Sequence, residues 1–417
     1  MKIISKFYNH LANDSLYRNS IYLMLSTAVM AFLGFFFWII NARLYSTEQV
    51  GIATTLISVV TLISSFSLFG FGAGLIRYLP TSKQKNEKIN TGFTLVAIAS
   101  IFISIIYLLG LNIFSPKLLF VRENIIFAIL FILFVVFSSL NTISESVFVA
   151  YRSSKYILIK NTAFSIAKLA LPILLISLGA YGIFASVGIA SVVAVVLSLI
   201  FLILKFNYSI NPTISKEVVK RMTKFSIGNY VAGFIGGLPM MVLPIIITNQ
   251  LGPKFTAYYF MPMMIASFLY IIPQATTRSL FAEGSHREGE VGKFFNKSLK
   301  LNALLLLPAM MAVYFLGKYI LLVFGFEYAR EGTQFLQLLA ISGVFIYINS
   351  VGGVMLNMKH KIKELIAINL TGALLILGLS NFLISKGLLG LGIAWIIGQG
   401  VISLVYVSSY KNKAFKL

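Results

Sequence analysis

The chain of 417 residues has no cysteine and a single aspartate, Asp14. Without cysteine, structural disulfides and thiolate metal sites are excluded. The remaining acidic residues are glutamates, almost all between apolar runs, so no carboxylates gather for acid–base work or for holding Mg²⁺. Three histidines, His10, His286 and His360, lack HxxxH or HxxE spacing, and no metal site is expected. Neither a glycine-rich phosphate loop nor a GKS or GKT triplet occurs, which argues against an ATP-driven pump. The expected catalytic residues, cofactors and metals are therefore none. Charge is also scarce, at 11% of residues, while 58% are hydrophobic, a balance that marks an integral membrane protein.

The net charge of +22 invites comparison with nucleic-acid binders, but those gather basic residues on one solvated face with aromatic platforms. Here the cations sit in short gaps between apolar runs, so membrane lipids and not nucleic acid are the expected neighbours. A helix needs about 20 apolar residues to cross the hydrocarbon, because every backbone polar group must be bonded within it. Twelve stretches qualify: Ile21 to Ile40, Gly51 to Ile76, Ile89 to Asn112, Asn124 to Ala150, Asn161 to Leu178, Gly179 to Leu204, Phe225 to Gln250, Phe255 to Thr277, Leu301 to Leu316, Thr333 to Asn357, Leu365 to Ser385 and Leu388 to Tyr410. The first nineteen residues lack an apolar core and a small-residue cleavage site, and are not expected to be a removable signal peptide.

Lysine and arginine test that count, since loops kept in the cytoplasm are enriched in them. The N-terminal segment, alternate loops and C-terminal tail hold 24, Lys160 among them, and the opposite loops hold seven. This predicts an all-α polytopic membrane protein with both termini cytoplasmic. Six crossings per half return the chain to the same side, so the halves would be parallel repeats. The expected organisation is an N-terminal six-helix bundle over 1–206, a cytoplasmic connector over 207–224 and a C-terminal bundle over 225–417.

Internal echoes agree with a duplication. Tyr107, Leu109, Gly110 and Ile113 recur 207 positions later as Tyr314, Leu316, Gly317 and Ile320; Asn161, Gly179 and Gly182 recur 208 positions later as Asn369, Gly387 and Gly390.

Ionisable residues inside the membrane are costly and face a partner or a cavity. Glu145, near the end of the fourth span, and Lys168, in the fifth, both fall about 8–10 Å inside the same membrane face at a rise of 1.5 Å per residue. Two readings stand: an ion pair that fixes two helices, or a working pair in which Glu145 carries a coupling ion, H⁺ or Na⁺, and Lys168 binds an anion. Neither has a counterpart in the second half. Arg43, Arg77 and Arg278 lie at or near the ends of spans, where they either snorkel to headgroups or line a rim suited to phosphate. The seventh span carries Pro239 and Pro244, which remove intrahelical hydrogen bonds and bend it, as a static feature or as a gate.

Asn41 to Pro80 reads NARLYSTEQVGIATTLISVVTLISSFSLFGFGAGLIRYLP. This resembles the polysaccharide-unit flippases, the Wzx-type members of the superfamily that also holds multidrug and toxic compound extrusion proteins. In those proteins an ARLLGPEEYG turn opens the second helix and an LVRYLP-like end closes it; Ala42, Arg43, Leu44, Glu48, Gly51, Arg77, Tyr78, Leu79 and Pro80 fit, while Tyr45, Ser46 and Thr47 replace Leu, Gly and Pro. AYRSSKYILIKN, Ala150 to Asn161, then Lys168 and GAYGIFAS, Gly179 to Ser186, are similar to the same family's fourth loop, fifth helix and entry to the sixth. The resemblance implies two six-helix bundles around a central cavity that alternates between faces, moving a polyprenyl-pyrophosphate-linked oligosaccharide outward in cell-surface polysaccharide biosynthesis. Glycan-assembly proteins would be its partners, and Arg43, Arg77, Lys168 and Arg278 its candidate substrate contacts.

A cation-coupled multidrug extrusion carrier of the same superfamily is the alternative. It calls for more intramembrane carboxylates than Glu145. A major facilitator carrier fits less well, because Pro80 to Asn90, PTSKQKNEKIN, lacks that group's GxxxDRxGRR-like second loop.

Overall fold

A computed structural model describes residues 15–286 and 291–409, with side chains described over 17–223, 226–277 and 297–409. Twelve helices of 20 residues or more make up the described chain: α1 (Ser15–Leu44), α2 (Thr47–Ser67), α3 (Lys85–Leu109), α4 (Ile125–Ala150), α5 (Lys155–Leu174), α6 (Ala180–Phe206), α7 (Lys216–Gln250), α8 (Pro253–His286), α9 (Val291–Leu322), α10 (Phe326–Met358), α11 (Ile362–Leu383) and α12 (Gly387–Ser409). Each carries a segment apolar enough to cross a membrane; α11 and α12 form one continuous apolar stretch, broken by a 3₁₀ turn at Ile384–Lys386. The protein is an all-α, multi-pass membrane protein of twelve spans.

Several spans differ from the hydropathy boundaries. The second ends early: Phe69 and Gly70 take left-handed φ values of 44° and 77°, and a separate short helix, Phe71–Tyr78, follows. At the start of α4 the Asn124 side chain accepts hydrogen bonds from the backbone N–H groups of Ile126 and Phe127, at 3.0 and 3.3 Å, a standard N-cap. The fifth helix begins at Lys155 and not at Asn161, so Lys160 belongs to the helix and is fully buried. Counting Lys160 as a loop cation is therefore corrected, which leaves the cation asymmetry at 23 to seven.

The chain divides into two compact units. The first holds the described residues up to Ser46 together with Leu56–Tyr230; the second holds Thr47–Thr55 and Val231–Leu417. Of the stretch expected as a connector, 207–224, the part from Lys216 is already α7. The part before it is tied to the first turns of α3. Tyr208 donates to Asn90 Oδ1 at 2.5 Å, Asn90 Nδ2 donates to the Ser209 carbonyl at 3.0 Å, and Ser215 N donates to Thr91 Oγ1 at 3.2 Å. Burial pushes the Tyr208 phenol up to about 12.

Within the first unit α3 packs on α4, α4 on α6, α6 on α5 and α5 on α1. Within the second, α9 packs on α10, α10 on α12 and α12 on α11, the same neighbour order. The turns repeat as well. Arg152 and His360, 208 positions apart, are left-handed at 52° and 57°, and each closes its helix with the six-residue bond of a Schellman cap: Ser153 N to Phe148 O and Lys361 N to Leu356 O, both 2.9 Å. Gly179 and Gly387 end matching 3₁₀ turns at φ, ψ of 55°, −134° and 62°, −146°, a combination that only glycine adopts without strain. A Cβ on Gly182 would overlap the Leu175 carbonyl oxygen, and one on Gly390 that of Leu383, again 208 positions on.

The 207-residue echo fares differently. Tyr107 is buried with its hydroxyl on Ser115 Oγ at 2.7 Å and Gly110 ends α3, whereas Tyr314 is 37% exposed and Gly317 lies inside α9. Those two tyrosines and glycines do not occupy equivalent places, and the duplication rests on the 208-residue matches.

Candidate functional site

Asn141 and Glu145 stand one turn apart on α4 and therefore share a face. Opposite them, α5 presents Lys160 and Asn161. Lys160 Nζ donates to Asn141 Oδ1 at 2.5 Å, Asn161 Oδ1 at 3.0 Å, Glu145 Oε1 at 3.1 Å and the Asn141 carbonyl at 3.4 Å. Asn161 Nδ2 donates both to the same Glu145 oxygen, at 2.9 Å, and to Ser26 Oγ of α1, at 3.0 Å. Three helices of the first unit thus meet in one charged, hydrogen-bonded knot. The Lys160 side chain is fully buried, while that of Glu145 is 38% exposed.

This corrects the expected pairing of Glu145 with Lys168. Lys168 is two turns beyond Lys160, about 12 Å along the helix at 1.5 Å per residue. Its ammonium lies 4.8 Å from the ring centre of Phe37 on α1 and 5.3 Å from that of Phe164 on α5. Gly34 of α1 lies alongside, at a distance where a Cβ would make only ordinary contact with Lys168 Nζ, 3.9 Å. Ring faces attract a cation but do not cancel its charge. No described carboxylate forms an ion pair with Lys168, whereas Glu145 is neutralised by Lys160. Among the described residues, Lys168 is thus an intramembrane cation of the first unit with no ion-pair partner.

Beside these residues is a cavity of about 170 Å³ between α2, α4, α5 and α6. Thr61, Ser64, Ser138, Asn141 and Ser191 supply its polar wall, and Phe164 shares its ring with Lys168. The second unit has a smaller relative, 110 Å³, lined by Asn349, Asn369, Gly372 and Gln399 with Pro239 and Tyr406. Asn349, Gly372 and Gln399 are the 208-residue partners of Asn141, Phe164 and Ser191. Asn349 Nδ2 donates to Gln399 Oε1 at 2.8 Å, and Asn369 Nδ2 reaches back to the Ala232 carbonyl of α7 at 2.8 Å, as Asn161 reaches α1.

The arginines scatter. Arg43 is exposed in the last turn of α1; Tyr45 beside it donates to the Pro172 carbonyl at 2.6 Å, which sets this end of α1 against the end of α5, one turn from Lys168. Arg77 lies beyond the whole length of α2, 21 residues or about 31 Å, so one small anion does not touch both. Arg77 shares the ring of Tyr78 with Arg221, at 5.8 and 4.9 Å. The Arg278 side chain lies outside the described residues. Pro239 and Pro244 sit inside α7, where they leave the Ile235 and Met240 carbonyls without helical donors. A chain of hydroxyls ends at the second proline: Thr55 to Thr248 at 2.5 Å, Thr248 to Thr256 at 2.6 Å, and Thr256 to the Pro244 carbonyl at 3.4 Å.

Reading the sequence missed Lys160, Asn141 and Arg221. Lys160, Phe164 and Lys168 follow a spacing of four along one helical face, a signal present in the chain. Among the described residues no three histidine, aspartate or glutamate side chains converge on a metal-sized space.

A family model described as polysaccharide biosynthesis protein matches residues 40–331. No curated protein matches the chain. Among solved structures, the inward-facing conformation of a multidrug resistance MATE family transporter of the MOP superfamily is similar at a TM-score of 0.74, with 14% identity over 95% of this chain and 98% of that one. The outward-facing conformation of such a transporter gives 0.65, with 15% identity over 97% of each chain. A MOP superfamily transporter from Pyrococcus furiosus, described as having a binding pocket whose reverse polarity suggests a different function, gives 0.62, with 15% identity over 96% of this chain and 95% of that one. These similarities establish the shared fold.

Proposed function

Because the chain belongs to the polysaccharide biosynthesis protein family, we propose that it is a flippase that carries a polyprenyl-pyrophosphate-linked oligosaccharide from the cytoplasmic to the outer leaflet of the cell membrane. One observation carries this reading: Glu145 is already neutralised by Lys160, while Lys168 keeps an unmatched charge between aromatic rings. An anionic headgroup faces a large cost in a low-dielectric passage, and a fixed ammonium offsets it. Lys168 is the assigned anion contact, with Arg43 near the same end of α5 and Arg77 with Arg221 at the far end of α2 as successive contacts along the route; Arg278 is a further candidate. Pro239 and Pro244 are assigned to gating by alternating access, since α7 gives up backbone hydrogen bonds at both positions.

The competing reading is multidrug extrusion, the activity named for two of the similar structures. A cationic drug calls for an unmatched carboxylate, and Glu145 does not offer one. The test is to delete the gene and follow lipid-linked glycan. Accumulation on the cytoplasmic leaflet, reversed by the wild-type chain and not by Lys168→Ala, is the expected result; unchanged lipid-linked pools together with new drug sensitivity would replace the flippase by the extrusion carrier.

A further inference from the structure

The knot around Lys160 has the form of a cation site with its cation built in. Four oxygens surround Nζ at 2.5–3.4 Å: a carboxylate, two side-chain amides and a backbone carbonyl. Hard cations are bound by such oxygen sets. The cage is also oriented independently of the lysine. Asn161 is held by its amide N–H groups on Ser26 and Glu145, which turns its carbonyl oxygen toward Nζ. The cage carries a single formal negative charge, which matches one monovalent cation.

The second half supplies the control. Asn141 and Asn161 recur there as Asn349 and Asn369, but the positions of Glu145 and Lys160 are Gly353 and Ile368. Acid and base are missing together, while the amides remain and bond to neutral groups. A lysine stands only where the carboxylate stands.

We propose that Lys160 is a tethered cation: its ammonium fills a cage that would otherwise take a monovalent cation such as Na⁺ or K⁺, so the first half needs no cation from solution. This is independent of the substrate, and its test does not involve transport. The full-length chain is purified in detergent, and its melting temperature is compared in choline, sodium, potassium and ammonium chloride at equal ionic strength. The wild type should melt at the same temperature in all four salts. Lys160→Ala should melt lower in choline and regain several degrees, saturably, in at least one of the small cations. Glu145→Gln/Lys160→Ala, whose cage has lost its charge, should lose that response. The proposal is overturned if Lys160→Ala melts identically in the four salts, if the wild type gains as much from sodium or potassium, or if Lys160→Ala folds in none of them. A lysine that only clamps α4 to α5 gives the first of these outcomes, with a low melting temperature throughout.

Discussion

The helices α4 to α6 and α10 to α12 share a neighbour order, a Schellman cap, a 3₁₀ turn and a glycine pressed against a carbonyl, yet their interiors differ in chemistry. In the first half the space between the fourth and fifth helices is closed by Glu145 and Lys160; in the second, glycine and isoleucine occupy those places. Backbone geometry and polar chemistry have therefore separated: the turns recur in both halves, and the buried side chains between the helices do not. The first half holds charge. The second holds the helix prolines Pro239, Pro244, Pro262, Pro273 and Pro308, against Pro172 alone within a long helix of the first.

Transplanting the chemistry of the second half into the first has the largest expected effect. Lys160→Ile alone leaves the Glu145 carboxylate without its cation and should cost about 3 kcal/mol, the low end for breaking a buried pair because Glu145 is partly exposed. Adding Glu145→Gly copies the second half outright and should recover most of that loss, read as melting temperature in choline chloride. A double variant as unstable as the single one would show that the two frames are not interchangeable.

The shared frame is tested by Gly182→Ala and Gly390→Ala. Each places a methyl group on a backbone carbonyl that has little freedom to move, so each should cost about 2–3 kcal/mol, at the upper part of the overpacking range, and by similar amounts. A large difference between them would mean that the turns are alike in outline only. Lys168→Ala should leave stability within about 1 kcal/mol and lower transport about tenfold, the loss expected for one charge-assisted contact, while Lys168→Arg retains more. The smallest effect belongs to Tyr78→Leu, which removes the ring shared by Arg77 and Arg221 and should cost about 0.5–1 kcal/mol.

Hydropathy makes the twelve helices legible, because the bilayer requires long apolar runs and tolerates few exceptions. Those exceptions carry the site, and hydropathy reads them poorly. Lys160 shared a window with Lys155 and Arg152 and so resembled a loop cation; only the helix start at Lys155 places it inside, facing Asn141 and Glu145. Glu145 and Lys168 were visible as intramembrane charges, but depth alone cannot decide which cation reaches a carboxylate; helical rotation and register do. The repeat was legible where backbone conformation demands it, at Gly179 and Gly387, and misleading at Tyr107 and Tyr314, where a local match fell on a helix end in one half and a helix interior in the other.

In the proposed flippase, the Lys168 ammonium of the first half carries an anionic lipid-linked glycan across the membrane. Labelling of that glycan by a membrane-impermeant lectin, in spheroplasts of a deletion strain, tests it directly. Wild-type and Lys168→Arg chains should restore labelling, and an equally abundant Lys168→Ala chain should label at about a tenth of the wild-type initial rate; a wild-type rate with Lys168→Ala would contradict this role.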